Sequence, residues 1–131
     1  MSEHLGSDGS STSAATRSAV REHVEAFNAH DTARLIAGLH EDVVWATGAD
    51  VFRGRAALRD DVFDAGLWAM RPRLAVRTLL VEGRRAAAVL REEIVVTDER
   101  HEFDIAVFLT VSDALIRTVT VFRAGSADIE A

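Results

Sequence analysis

Residues 102–111 read EFDIAVFLTV and residues 115–123 read LIRTVTVFR, with SDA at 112–114 between them. Side chains alternate between the two faces of an extended chain. Phe103, Ile105, Val107, Leu109 and Val111 therefore make one unbroken apolar face, which Val119 and Val121 continue across the hairpin. The opposite face carries Glu102, Asp104, Ala106, Phe108 and Thr110 with Thr118, Thr120 and Phe122, a mixture too apolar to be wholly solvated. Upstream, Leu74 to Val81 and Ala86 to Val96 are two further extended runs, punctuated by Glu82-Gly83 and by Thr97 to Arg100.

Before Pro72, the only proline, the period changes. Val20, Val24 and Phe27 recur at three- and four-residue steps and predict a helix over 14–28. Asp31 can cap a short second helix bearing Leu35, Ile36 and Leu39. Val43 to Thr47 suits a strand, the region of Gly48, Asp50 and Gly54 suits a turn, and Ala56 to Met70 suits a third helix that buries Leu58, Val62 and Ala65. Helices followed by hairpin-linked strands describe an α+β domain.

A chain of 131 residues has room for one core. Residues 1–13 lack apolar mass and are expected to form a disordered tail, 14–124 the domain, and 125–131 a flexible C-terminal end. A net charge of −6 gives no attraction to phosphate backbones, so nucleic acid is not an expected partner. No apolar run approaches the ~18 residues a bilayer span needs, so no membrane is expected either. Without cysteine there is no thiolate chemistry, and a reducing cytoplasm fits. All fifteen basic residues are arginine and tyrosine is absent, which closes lysine Schiff-base chemistry and tyrosine acid catalysis.

Three stretches carry a resemblance: FNAHD at 27–31, EDVVW at 41–45 followed by FRGRAAL at 52–58, and VSDALIR at 111–117. With the order of elements, they make the chain similar to the NTF2-like superfamily, the cone fold of ketosteroid isomerase, limonene epoxide hydrolase and SnoaL-type polyketide cyclases. The resemblance implies three N-terminal helices packed on a curved, mostly antiparallel sheet around a blind pocket. It also implies a homodimer formed through the sheet.

Within such a cone, Ala86, Ala88, Leu90, Ile94 and Val96 share one parity, and Glu92 falls on the same side. A carboxylate aimed into an apolar cavity is disfavoured as an ion unless a cation or N–H donors face it, and it is the usual raw material of a general acid or base. His23 lies on the apolar stripe of the first helix, at a position resembling the oxyanion-hole tyrosine of the isomerase. The expected catalytic pair is Glu92 and His23. The expected lining comprises Phe27, Trp45, Thr47, Leu90, Phe103, Val107, Val119 and Arg117. Arg117 and Arg123 both have inward parity near strand ends, where either can neutralise Glu92 or stay a rim arginine.

The chain departs from the family's enzymes at the acids. Thr47 and Val107 stand where the isomerase resemblance implies aspartates, and Val119 and Val121 where the epoxide hydrolase resemblance implies one. No glycine-rich phosphate loop and no paired histidines are present, so neither cofactor nor metal is expected. The function expected is binding of a hydrophobic small molecule, with cofactor-free isomerase, dehydratase or cyclase chemistry by acid–base catalysis. The alternative is a non-catalytic binding or dimerisation module with a filled pocket.

Overall fold

The computed structural model describes residues 2–124, with side chains from Ser11 onward. Helix α1 (Ser2–Asn28) and helix α2 (Thr32–Ala37) lead into strand β1 (Leu39–Thr47), which turns back as β2 (Asp50–Arg53). A short helix α3 (Arg55–Leu58) follows, then β3 (Arg73–Glu82), β4 (Arg85–Val96), β5 (Glu99–Ser112) and β6 (Leu115–Arg123). The six strands form one sheet in the order β2-β1-β6-β5-β4-β3. Only the β1–β6 pair is parallel. Three helices on a curved, mostly antiparallel sheet is the α+β cone that the sequence implied.

The core lies between α1 and the concave face. Val20, Ala26 and Phe27 of α1 are buried against Ala86, Ala88 and Leu90 of β4 and Ile105, Val107 and Leu109 of β5. The predicted alternation along these strands is thus the alternation that packs, with Val89, Phe108 and Phe122 left exposed on the other face.

Polar contacts fix α1 at mid-length and at its C-terminal end. Thr16, the one buried polar residue among the described residues, donates its hydroxyl to the Gly83 carbonyl at 2.7 Å. The Gly83 N–H donates to Ser13 Oγ at 3.0 Å. Gly83 sits at φ 57° in the β3–β4 turn, a left-handed conformation that suits glycine. At its C-terminal end the Asn28 side chain clasps the backbone of Leu74, donating to its carbonyl at 2.9 Å and accepting from its N–H at 2.7 Å. His23, five residues before Asn28, is held at a fixed height over the sheet.

Three expectations change. The helix extends back past Ala14 and includes Ser13, whose contact with Gly83 ties down part of the segment expected to be a tail. Asp50–Arg53, read as a turn, pairs with Val44–Thr47 as a strand. The third helix expected over Ala56–Met70 breaks into α3, a π-helical turn at Arg59–Phe63 and a 3-10 turn at Leu67–Met70. Gly66 between them is left-handed at φ 94°, which no regular right-handed helix passes through. The C-terminal end, 125–131, lies outside the described residues.

Asn28→Ala removes both partners of the Leu74 backbone at the edge of the sheet. The variant should lose about 1–3 kcal/mol of stability, read as a lower urea midpoint at unchanged slope. An unaltered midpoint would show that this clasp does not hold α1.

Candidate functional site

The concave face and the helices enclose a cavity of about 190 Å³. The inward faces of β4, β5 and β6 supply Leu90, Val107 and Val119, α1 supplies Phe27, and β1 supplies Trp45 and Thr47, all six as expected from parity and helical spacing. His23 and Glu92 line the same cavity. Around this polar pair the wall is almost entirely apolar.

Glu92 is nearly buried, with 12% of its side chain exposed, and Arg123 meets it with Nη2 at 2.6 Å from Oε1. The register explains the encounter. Glu92 is opposite Phe103 on β5, and Ile105, the next inward residue of β5, is opposite Arg123 on β6. The guanidinium of Arg123 sits 5.3 Å from the centre of the Phe103 ring. Arg123 is 45% exposed, so the ion pair marks where the cavity meets solvent.

Two residues expected in the lining are elsewhere. Phe103 does not line the cavity; its ring is taken up by Arg123 at the mouth. Arg117 is turned away by a bulge: Thr110 pairs with Thr118 and Val111 with Ile116, leaving Arg117 as the extra residue. One extra residue reverses the parity of everything before it. Ile116 is therefore fully buried in place of Arg117, whose Nη1 donates to the Asp42 carbonyl. His101 is exposed beside Glu99.

The structure also brings in residues that periodicity missed. Phe63 and Leu67 reach the cavity from the broken third helix, beside Val62 of its expected buried stripe. Phe63 is 1% exposed and lies edge-on to Trp45 at 6.1 Å and parallel to Trp68 at 6.1 Å. Trp68 in turn stacks on His30 at 4.8 Å and donates its indole N–H to Thr32 Oγ1 at 3.0 Å. A regular helix would not have put Phe63 on the stripe of Leu58 and Val62; the π-helical turn does. No signal in the sequence marked that turn.

His23 stands beside Trp45, ring centres 5.5 Å apart. Its Nδ1 is sealed from solvent and has no hydrogen-bond partner. Burial pushes the imidazole down to about 4, so it is neutral at physiological pH. No hydrogen bond joins it to Glu92 among the described residues, so the two groups face one cavity without pairing. Among the described residues no group of three or more His, Asp or Glu is placed to hold a metal ion. No described helix is long and apolar enough to cross a membrane.

Residues 20–119 match the family model of the SnoaL-like domain. Among solved structures, a provisionally assigned ketosteroid isomerase from Kribbella flavida DSM 17836 is 27% identical, covering 87% of this chain and 81% of that one, with a TM-score of 0.73. An LEH-like epoxide hydrolase of M. tuberculosis is 15% identical over 85% of this chain and 84% of its own, with a TM-score of 0.78. An NTF2-like protein of unknown function from Cytophaga hutchinsonii ATCC 33406 is 16% identical over 82% and 88%, with a TM-score of 0.67. The last two likenesses are of fold alone. No curated protein matches the chain.

The lowered imidazole sets a pH dependence. Unfolded, the ring takes its proton near 6.5; folded, only near 4, so acid favours the unfolded chain between those values. The stability from neutral His23 is complete above pH 6.5 and falls away toward pH 4, by up to about 3 kcal/mol. Urea midpoints of the wild type and of His23→Gln, which cannot titrate, should diverge over that window, the wild type losing more. Parallel curves would contradict the buried, neutral state.

Proposed function

This chain belongs to the SnoaL-like domain family, and on that premise we propose that it binds a small hydrophobic molecule in the cavity and moves a proton on it without a cofactor. The observation that carries the reading is the cavity itself: about 190 Å³ of open space, apolar except where His23, Thr47 and the Glu92–Arg123 pair reach it. Arg123 holds the Glu92 carboxylate at the edge of the cavity, Nη2 to Oε1 at 2.6 Å, where it is placed to serve as a base. Glu92 takes a proton from a carbon of the ligand and returns it to another position, while His23 serves as its polar partner beside the charge that develops. Isomerisation, dehydration and cyclisation all share this step.

Thr47, Val107 and Val121 leave the cavity without further acids, so the burden falls on Glu92. One observation favours a second reading, a binding module without chemistry: Glu92 is already engaged by Arg123, and no hydrogen bond links it to His23. A filled pocket has no support, since the cavity is open.

For the assembly we propose a homodimer through the outer face of the sheet. Phe108 and Phe122 are 52% and 55% exposed there and pack edge to face at 5.9 Å, with Val89 beside them. An aromatic patch of this kind suits an isologous contact. A chain without cysteine has no need of an oxidising compartment, and we place it in the cytoplasm.

Deuterium uptake from D2O into a panel of small cyclic carbon acids, followed by mass spectrometry, tests the chemistry. Wild type should exchange at least one, and Glu92→Gln should slow that exchange by about 10²-fold or more with little change in melting temperature. Undiminished exchange in Glu92→Gln would remove Glu92 from the reaction, and binding without any exchange would select the module. Sedimentation tests the dimer: wild type should sediment as a dimer and the Phe108→Glu, Phe122→Glu double variant as a monomer. A monomeric wild type would contradict the interface.

A further inference from the structure

The open member of the Glu92–Arg123 pair is its cation. Arg123 is 45% exposed where Glu92 is 12% exposed. It is also the only cation among the described residues that line the cavity, since His23 is neutral at physiological pH. Glu92 takes one donor of the guanidinium, Nη2, at 2.6 Å. A guanidinium carries five N–H donors in two forks, Nε with Nη2 and Nη1 with Nη2, and each fork uses a different hydrogen of Nη2. Whichever of these Glu92 accepts, one fork stays complete, and no group among the described residues accepts from it. The Phe103 ring, 5.3 Å from the guanidinium carbon, backs the same group.

The cavity fits an apolar body with its charge at one end. An engineered apolar cavity of about 150 Å³ holds one benzene molecule. The cavity here, about 190 Å³, has room for a single six-membered ring with a short substituent. Its inner wall of Leu90, Val107 and Val119 offers no partner to a charge, which would lose its hydration there without compensation. A charged substituent has to stop at the mouth, where the open donors are those of Arg123. Val119, Val121 and Arg123 share the cavity face of β6, and two residues of strand rise about 7 Å. A ring lying against Val121 therefore brings a one-carbon substituent to the level of Arg123.

We infer that the ligand is a single-ring carboxylic acid, bound as its carboxylate, with the ring in the cavity and the carboxylate on the free fork of Arg123. This names a ligand class and rests on the proposed ligand cavity, not on the proton transfer. Carboxylate and guanidinium match in two parallel hydrogen bonds, a geometry that neither an ammonium nor a neutral donor reproduces. Arg123 then stands between two carboxylates, that of Glu92 and that of the ligand, which repel each other across it. The net charge of −6 opposes an anion at long range, but physiological salt screens it beyond about 8 Å and leaves the contact to decide.

Phenylacetate, acetophenone and benzylamine are close in size and differ in charge. In calorimetric titrations of the full chain at pH 7, phenylacetate should bind about tenfold more tightly than acetophenone, the fold-change of a hydrogen bond to a charged group. Benzylamine should bind more weakly than either. Arg123→Gln should abolish the preference for phenylacetate over acetophenone, and Glu92→Gln, which removes the repulsion, should enlarge it. The order of the three probes is read on the wild type, so the test survives if Arg123→Gln folds poorly. Phenylacetate binding no better than acetophenone, a preference that survives Arg123→Gln, or one that shrinks in Glu92→Gln would each overturn the inference and leave the cavity as a site for neutral ligands. Tightest binding of benzylamine would give the recognition to Glu92 and overturn it too. If none of the three binds, the ligand-cavity reading falls together with this one.

Discussion

The pairing of Glu92 with Arg123 is the constraint around which the cavity is arranged. β4 must turn Ala88 and Leu90 inward to make a core, and strand alternation then turns Glu92 inward as well. A carboxylate 12% exposed at the edge of an apolar space needs a counter-charge, and the antiparallel register of β4, β5 and β6 supplies one at 2.6 Å. Since Arg123 stays 45% exposed, the pair sits at the boundary of cavity and water.

The two polar groups of the cavity are therefore prepared in opposite ways. Glu92 is paired with a cation, while burial keeps His23 neutral, held on α1 by the contacts at Gly83 and Leu74. A carboxyl group and a neutral imidazole in one apolar space can divide a proton transfer between them, one moving the proton and the other standing beside the charge that develops. The valines and threonine at Val107, Val121 and Thr47 keep other charges out.

Most of the cone was legible in the sequence because alternation along 86–96, 102–111 and 118–123 is regular and one face is largely apolar. From it came Leu90, Val107, Val119 and the inward Glu92, and from helical spacing came Phe27 and His23. The failures have a common physical form. Parity is reliable only between irregularities, and the bulge at Arg117 reversed it, exchanging Arg117 for Ile116. The π-helical turn did the same to helical spacing and hid Phe63. Phe103 had the right parity but lay past the end of the cavity, under Arg123. Which arginine would meet Glu92 depended on strand register, which no single strand contains.

The central claim is that the cavity between His23 and the Glu92–Arg123 pair is a ligand site and not a packing defect. A crystal structure of the protein soaked with acetophenone tests it most directly. The account predicts density for one ring bounded by Trp45, Leu90, Val107 and Val119, with the Glu92–Arg123 pair intact at the mouth. A cavity closed by inward movement of Phe63 or Leu67, with no ligand density, would contradict it.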